Sequence, residues 1–413
     1  MLLPEILINF SENGRFSISP EFHLAESNCF LSEGMDAPVK IVLLGTVVSS
    51  VFNFRIDLIR SLVESGFSVY VFCVDFDEIS KARMKELGAI PVNYALSRAG
   101  LNPFRDLADT WRLSQLLKKI APGVVLSYFV KPVIFGTTAA RLAGVPRRIG
   151  MLEGLGYVFT DLPSGISRKQ ALLRKVQVLL YRMTLPLLDR LIFLNPDDPV
   201  DLLERYGLRA RSVSVLGGIG VDLQKYVYVP PNVEKPPRFI FVGRLLAEKG
   251  IREYVAAARM VKERYPAVRF IVLGGLDEAN PGGLSRAELD ELTASGVVEY
   301  PGHVSSVREW LAEASVFVLP SYREGVPCST QEAMAVGRAV ITTDVPGCRE
   351  TVVDGVNGYL TPRWDAETLA QKMLCFVLDP SLATRMGQES RRLAEDRFDA
   401  AKVNERLIQM LLD

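Results

Sequence analysis

Two cations lie five residues apart in the loop at residues 243–250, which reads Gly-Arg-Leu-Leu-Ala-Glu-Lys-Gly. The loop follows a predicted strand and leads into a predicted helix, and its cations are Arg244 and Lys249. The Arg side chain offers a planar fork of donors and the Lys side chain a point charge, and the helix start offers its backbone N–H groups. These groups together suit the binding of a diphosphate. Solvated loop charges are the alternative explanation. Gly274 and Gly275 follow the next strand and, lacking a Cβ, permit the close approach of a ligand.

Two glutamates, Glu324 and Glu332, stand eight residues apart across the start of another predicted helix. Glu324 lies in a loop after a buried strand, and Glu332 lies about two turns further on. The backbone N–H groups near residues 325–329 lie at the helix N-terminus, where the helix dipole favours an anion. A carboxylate inside that helix can accept hydrogen bonds from both hydroxyls of a ribose. With the upstream cations, this pattern indicates a nucleotide site; two surface glutamates are the alternative.

Short β-branched runs alternate with helical segments in both halves of the chain. Predicted strands lie at 39–44, 68–74, 124–128, 239–243, 270–273, 316–320 and 339–342, and predicted helices at 54–65, 79–87, 107–119, 136–143, 251–265 and 330–335. This alternation predicts an α/β protein with two doubly wound, Rossmann-like domains that face a cleft. In such sheets, ligands bind at the carboxyl ends of the strands.

A proline-rich stretch at 230–237 predicts the linker between the two domains. The first domain is expected at 35–229 and the second at 230–395, with a helix at 396–413 that packs back on the first. Residues 1–34 are acidic and lack periodicity. They are interpreted as a disordered extension or as upstream sequence from a wrongly chosen start, since a domain that begins at Met35 opens almost directly on its first strand.

Composition narrows the classes of function. Of 413 residues, 48 are Lys or Arg and 48 are Asp or Glu, and this balance argues against a nucleic-acid binder. Five cysteines without metal-ligand spacing and two histidines argue against a metal centre and for a reduced, intracellular protein. The apolar runs are too short to span a bilayer, so a soluble or peripheral protein is expected. The charge is uneven, because residues 35–235 are basic and both flanking segments acidic.

Taken together, these motifs resemble those of the retaining nucleotide-sugar glycosyltransferases of family four, which have the B-type fold. The resemblance rests on the Arg244/Lys249 pair, on Glu324 and Glu332, and on the segments 347–350 and 357–359. It implies that Arg244 and Lys249 bind the donor diphosphate, that Glu332 binds the ribose, and that Glu324 lies near the transferred sugar. The further donor-binding residues that it implies are Gly243, Gly274, Gly275, Gly325, Val326, Pro327 and Cys328.

A closer resemblance involves the segments 97–104, 152–156, 274–281 and 319–325. These are similar to bacterial N,N′-diacetylbacillosaminyl-diphospho-undecaprenol α-1,3-N-acetylgalactosaminyltransferases and to their O-antigen and capsule relatives. The resemblance implies a UDP-N-acetylhexosamine donor, an undecaprenyl-diphosphate-linked saccharide acceptor, and a peripheral location on the cytoplasmic face of the inner membrane. It implies no metal and no cofactor other than the sugar nucleotide. The acceptor side is expected to include Thr46, Arg55, Lys131, Glu153 and Gly154.

The sequence departs from the family pattern at Val130, near where several relatives carry a histidine in the acceptor domain. A retaining mechanism does not demand a strong protein base, because the departing diphosphate oxygen can take the acceptor proton. Two alternatives remain: an enzyme like UDP-N-acetylglucosamine 2-epimerase and a non-catalytic transferase-like scaffold. The scarcity of histidine and the Glu324–Glu332 spacing argue against the first, and the intact charged residues argue against the second.

A basic and apolar stretch at 166–182 has helical spacing and contains no acidic residue. A core helix with a solvated basic face is one interpretation. A helix that lies on an anionic membrane surface is the other, and a lipid-linked acceptor favours it.

Overall fold

Two parallel β-sheets form the frame of the protein. The computed structural model describes residues 38–96, 103–233, 236–277, 280 and 282–413, and residues 39–413 make up one compact unit. The extension expected at 1–34 and most of the 97–104 motif lie outside the described residues.

The first sheet has seven strands in the order β3-β2-β1-β4-β5-β6-β7. Its strands are β1 (Lys40–Leu44), β2 (Ser68–Cys73), β3 (Ile90–Asn93), β4 (Val124–Tyr128), β5 (Arg147–Leu152), β6 (Arg190–Phe193) and β7 (Val213–Val215). Its helices are α1 (Val48–Phe54), α2 (Ile56–Glu64), α3 (Glu78–Glu86), α4 (Pro103–Ile120), α5 (Thr137–Leu142), α6 (Arg168–Thr184) and α7 (Asp197–Pro199). Every residue of β4 is buried, as expected for a central strand covered on both faces.

The second sheet has six strands in the order β10-β9-β8-β11-β12-β13. Its strands are β8 (Arg238–Val242), β9 (Arg269–Leu273), β10 (Glu299–Gly302), β11 (Val316–Leu319), β12 (Ala339–Thr343) and β13 (Gly358–Thr361). The helices of this half are α8 (Ile251–Arg264), α9 (Arg286–Ala294), α10 (Val307–Glu313), α11 (Cys328–Val336), α12 (Ala366–Leu378), α13 (Ser381–Arg397) and α14 (Ala400–Leu412). Two parallel, doubly wound sheets confirm the predicted fold class.

The order of strands reverses between β1 and β4 in the first sheet and between β8 and β11 in the second. In open parallel sheets, the loops that leave the carboxyl ends of such strand pairs diverge and open a crevice for a ligand. The segments after these four strands are those that contain Thr46, Lys131, Arg244 and Glu324. The topology therefore places these four candidate site residues at the two switch points.

The C-terminal helix α14 contacts α2 of the first half. Val221 N donates to Phe398 O at 2.8 Å, and Ala400 N donates to Val221 O at 3.1 Å, so the chain crosses back beside residue 221. At the far end of α14, Arg147 Nη1 donates to Leu412 O at 2.7 Å. The helix expected at 396–413 begins instead at Ala400, because α13 extends to Arg397, and it packs against the first half. The exact domain boundaries stay predictions.

The structure differs from the sequence prediction at Arg55. A single helix was expected over 54–65, whereas α1 and α2 are separated at Arg55, whose φ is −127° and ψ is −3°. The break turns the Arg55 side chain inward, where only 3% of its surface is exposed. A buried charge needs a partner, and Glu153 supplies it.

Candidate active site

The loops after β8 and β11 meet through an ion pair between Lys249 and Glu324. Lys249 ends a turn of 3₁₀-helix, and its Nζ donates to Glu324 Oε1 at 2.5 Å. Ser321 Oγ donates to the same oxygen at 2.7 Å. No residue in the described part of the chain donates to Oε2, so that oxygen is available to a ligand. The Lys249 and Glu324 side chains keep 22% and 11% of their surface exposed, and both are therefore within reach of a molecule in the cleft.

Arg244 lies further out than Lys249. Its Nη1 donates to Asp277 Oδ2 at 2.7 Å, and 56% of its side chain is exposed. Asp277 belongs to the loop after β9, so Arg244 links the loops that follow two neighbouring strands. Without a ligand, the structure brings Lys249 but not Arg244 against Glu324.

Gly274, in the loop after β9, packs directly against the backbone of the loop after β8. A Cβ on Gly274, whose φ is +149°, would lie 1.8 Å from Gly243 O. The backbones are tied directly, since Leu245 N donates to Gly275 O at 3.1 Å. Contact between the loops accounts for Gly274 alone, because a Cβ on Gly243 would only touch the Phe241 ring at 3.6 Å and one on Gly275 would have nothing within 4 Å. A role in donor binding stays a prediction for all three glycines.

Helix α11 begins directly after the Glu324 loop. Pro327 is its N-cap residue in an extended conformation, so the first N–H groups of α11 begin at Cys328. Val326 is buried, and its carbonyl accepts from the Gln331 side chain at 3.1 Å, which holds the loop to the helix. The partial positive charge at this N-terminus lies next to Glu324 in sequence, and this arrangement is suited to an anionic ligand.

Cys328 and Glu332 are one turn apart and line the same cavity, whose volume is about 400 Å³. Burial, and next the nearby Glu332, raises the pKa of the Cys328 thiol, so it stays neutral. Burial also raises the pKa of Glu332, while a hydrogen bond with Tyr226 and the charge of Lys225 act in the opposite direction. A partly desolvated carboxylate facing a cavity is prepared to accept hydrogen bonds from ligand hydroxyls.

The opposite wall of this cavity comes from the first half of the chain. Phe52 and Asp57 of α1 and α2 line it together with Asp222 and with Asn404 of α14. Burial, followed by repulsion from Asp222, raises the pKa of Asp57. The volume lies within the range of small-molecule sites. Glu332 therefore lies in a cavity between the two halves and not on an open surface.

On the first half, Arg55 and Glu153 form an ion pair and leave only 3% and 11% of their side chains exposed. The Arg55 guanidinium lies 4.8 Å from the centre of the Tyr128 ring. Gly154, with a φ of +118°, lies so close to the Glu324 loop that an added Cβ would be 3.0 Å from Gly325 N. The structure thus brings Glu153 and Gly154 next to the Glu324 loop.

The two remaining residues expected on the acceptor side lie apart from this contact. Thr46 follows β1, and its carbonyl accepts from Val74 N at 2.8 Å. The Lys131 Nζ lies 3.4 Å from Asp106 Oδ1, and Asp106 belongs to α4. Lys131 is therefore engaged within the first half, and its role at the acceptor stays a prediction.

Sequence reasoning missed a set of contacts that hold the Glu324 loop from the first half. The Asn195 side chain donates to Gly325 O at 2.7 Å. Arg323, beside Glu324, pairs with the fully buried Asp198 and, at 2.7 Å, with Asp201. The available signal was the polar run at 195–201, which follows the apolar residues 191–194 and a strand, β6, that was not predicted from the sequence. These contacts fix the Glu324 loop against the other half.

The described residues contain no group of three or more His, Cys, Asp or Glu residues arranged to hold a metal ion. Within the same residues, none of the helices is both long and apolar enough to cross a membrane.

Comparison with known proteins agrees with the two-half architecture. Residues 40–193 match the family described as glycosyl transferase 4-like, and residues 236–379 match the family described as glycosyl transferases group 1. The chain is 31% identical over 382 residues to an N,N′-diacetylbacillosaminyl-diphospho-undecaprenol α-1,3-N-acetylgalactosaminyltransferase of Campylobacter jejuni, covering 90% of this chain and 96% of that protein. It is 25% identical, with the same coverage, to the capsular polysaccharide biosynthesis glycosyltransferase CapM of Staphylococcus aureus.

Solved structures share the fold. The crystal structure of HepE from Anabaena in complex with UDP and glucose matches with a TM-score of 0.71 and 17% identity, over 91% of this chain and 100% of that one. Sucrose-phosphate synthase from Thermosynechococcus elongatus matches with a TM-score of 0.71 and 19% identity, over 90% and 98% of the two chains. The B-type fold and the sequence relatives agree, and the chain belongs to the group 1 glycosyltransferases.

Proposed function

We propose that the protein transfers a sugar, with retention of configuration, from a UDP donor to a saccharide carried on undecaprenyl diphosphate. The coarser statement, that it is a glycosyltransferase of polysaccharide assembly, follows from its relatives. The observation that carries the finer proposal is the arrangement of Lys249, Glu324 and the N-terminus of α11 around one cleft, with Glu332 in the adjoining cavity.

In the proposed complex, the donor diphosphate lies between Lys249 and the N-terminus of α11. Arg244 leaves its ion pair with Asp277 and binds a phosphate oxygen, and the exposed position of the Arg244 side chain allows this change. The ribose hydroxyls donate to Glu332, and Glu324 lies beside the transferred sugar. Fixed positive groups that face the leaving diphosphate stabilise the charge that develops in the transition state. The reaction therefore needs no cofactor beyond the sugar nucleotide.

The proposed chemical step balances without a protein base. The bond between C1 of the sugar and the diphosphate oxygen breaks on the face where the acceptor oxygen attacks. The acceptor proton passes to the departing diphosphate oxygen, so the products are the lengthened glycan and UDP. Lys249 holds Glu324 through Oε1, and Oε2 is left to face the sugar. The absence of a histidine near Val130 is consistent with this route.

The identity of the sugar is proposed from the relative's name and not from the cleft. The Campylobacter relative is named as an N-acetylgalactosaminyltransferase that acts on a diphospho-undecaprenol. We therefore propose UDP-N-acetylgalactosamine or another UDP-N-acetylhexosamine as donor, an α linkage, and a role in O-antigen, capsule or protein-glycan assembly. Because such an acceptor resides in the inner membrane, we place the protein on its cytoplasmic face as a peripheral protein.

UDP release in the presence of an undecaprenyl-diphosphate saccharide tests the proposal. A panel of UDP-sugars is offered to the wild-type protein, and product NMR reads the anomeric configuration. We expect release with a UDP-N-acetylhexosamine, an α product, and loss of release in Lys249→Ala and Glu332→Ala. Lys402→Ala, on the exposed side of α14, is the matched control and keeps full activity.

Two results would contradict the proposal. A folded wild-type protein that releases no UDP with any acceptor in the panel would instead support the non-catalytic scaffold. Conversion of UDP-N-acetylglucosamine to its C2 epimer without an acceptor would support the epimerase.

A further inference from the structure

The outer surface of α4, α5 and α6 is a single face of the first half. Right-handed crossovers from β3 to β6 place these three helices on one side of the sheet. The helical segment Pro132–Gly136 contacts both α4 and α6 and lies between them. We call the exposed surface of these helices the α4–α6 face.

Large apolar side chains project from this face. Phe104, Leu107 and Trp111 of α4 are 88%, 70% and 59% exposed, and their spacing places them along one stripe. Leu172 and Met183 of α6 are likewise more than half exposed. Exposed apolar side chains grouped along a helix in this way mark an interaction surface.

The exposed charges of the α4–α6 face have one sign. Its only two carboxylates, Asp106 and Asp109 of α4, are 2% exposed. Neither α5 nor α6 contains an acidic residue. The basic residues of the three helices are Arg105, Arg112, Lys118, Lys119, Arg141, Arg168, Lys169, Arg174, Lys175 and Arg182. The face therefore complements an anionic surface.

A groove of about 390 Å³ runs along α6 within this face. Its walls are mainly apolar and include Ile166, Ala171, Val178, Leu179 and Tyr206. A groove of this kind fits a hydrocarbon chain, because burial of apolar surface is favourable and the walls offer few hydrogen-bonding groups.

Cations line the same groove. Arg174 donates through Nε to Val158 O at 2.8 Å, and its guanidinium lies 5.6 Å from the centre of the Phe159 ring. No described residue accepts a hydrogen bond from its two terminal amino groups, of which Nη2 is buried. Lys175 is exposed and makes no ion pair with a described residue. Arg182 donates to Tyr206 O at 2.9 Å and closes one side. Unused donors beside an apolar groove are what a phosphate attached to a hydrocarbon chain requires.

We propose that the groove on α6 binds one anionic phospholipid of the membrane, with its phosphate on Arg174 and Lys175 and an acyl chain along Val178 and Leu179. The proposal deepens the proposed function, on whose membrane-borne acceptor it rests. Exposed apolar residues spread over α4 and α6 favour a lipid surface over a single carrier lipid, because one chain covers only the groove.

Docking at α6 is linked to the catalytic cleft. The buried Gln170 side chain of α6 donates to Tyr157 O at 3.0 Å and to Thr160 O at 2.8 Å. The segment that precedes these residues includes Gly154, which packs on Gly325. The helix α6 therefore supports one wall of the cleft, and a lipid bound in its groove holds α6 at the membrane surface.

Partition of the full-length protein onto vesicles tests the proposal. The vesicles contain phosphatidylcholine alone, phosphatidylcholine with phosphatidylglycerol, or phosphatidylcholine with undecaprenyl phosphate. We expect strong binding only where phosphatidylglycerol is present. Lys175→Gln reduces it about fivefold, which is the contribution of one basic residue near an anionic surface. Ala171→Phe fills the groove at constant charge and also weakens binding, and the control Lys402→Gln does not.

Several outcomes would overturn the proposal: equal binding to all vesicles, binding that requires undecaprenyl phosphate, or no effect of Ala171→Phe. UDP release with a short-chain, water-soluble acceptor separates this failure from failure of the proposed function. Lys175→Gln and Ala171→Phe are expected to keep that activity. A wild-type protein that binds vesicles as expected but transfers no sugar would contradict the proposed function alone.

Discussion

Replacement of Arg323 by Met is expected to weaken the contact between the two halves by about 3 kcal/mol at neutral pH. Arg323 is 11% exposed, and its guanidinium pairs with Asp198, which is 0% exposed, and with Asp201. The variant leaves Asp198 buried without a cation. Removal of one partner of a buried pair costs about 3–5 kcal/mol, and protonation of the remaining carboxylate keeps the loss near the lower end.

The loss has a defined pH dependence. Burial raises the pKa of Asp198 even with Arg323 present, and loss of the guanidinium raises it further. A carboxylate whose pKa is raised in the folded state destabilises that state when ionised, and the penalty disappears as pH falls through the folded pKa. The deficit of Arg323→Met is therefore largest near pH 8 and shrinks toward pH 5.

Denaturant unfolding at pH 5 and pH 8 measures this effect for the wild type, Arg323→Met, Asp198→Asn and the double variant. The double variant removes the buried charge together with its partner, so it is expected to recover most of the lost stability at pH 8. UDP release should fall in the single variant, because the Glu324 loop loses its hold on the first half. A loss under about 1 kcal/mol, or equal losses at both pH values, would refute this account of the interface.

Three further outcomes are expected. Lys249→Ala lowers kcat for UDP release by about 10²–10³, the effect of removing one preorganised group that faces developing charge, and Lys249→Arg keeps part of the rate. Glu332→Gln weakens UDP binding in calorimetry by about tenfold or more. The same change stabilises the fold at pH 8 and not at pH 4, because burial raises the pKa of the native carboxylate and its ionised form destabilises the folded state. Gly154→Ala lowers both stability and activity, because its φ of +118° disfavours a residue with a Cβ and that Cβ would lie only 3.0 Å from Gly325 N. Gly156→Ala, with open space around it, affects packing less, and the comparison tests the contact of Gly154 with Gly325.

Periodicity was sufficient to predict two parallel α/β halves, because central strands buried on both faces read as short apolar runs between helices. It did not find β3, β5, β6, β7, β10 and β13. The charged loops were placed directly after the strands β8 and β11, whereas the switch points follow from the strand order that the structure shows. The ends of the helices were harder to predict from the sequence. The break at Arg55 arises from a partner nearly a hundred residues away, Glu153, and no local pattern encodes it.

The candidate site divides in the same way. Lys249 and Glu324 were found from spacing within loops, and the structure joins them as an ion pair. Contacts between the halves were not found, because Asn195 and Asp198 read as ordinary loop residues until the fold brings them to Arg323 and Gly325. Tertiary pairing determines such contacts, and a sequence without relatives to compare does not display it.

A crystal structure of the protein with UDP would show directly whether the donor binds in the cleft. We expect a diphosphate that contacts Lys249, Arg244 and the first N–H groups of α11, with the ribose hydroxyls on Glu332 and the ion pair between Arg244 and Asp277 broken. A UDP molecule bound outside the cleft between the two halves, or one whose ribose lies away from Glu332, would contradict this expectation.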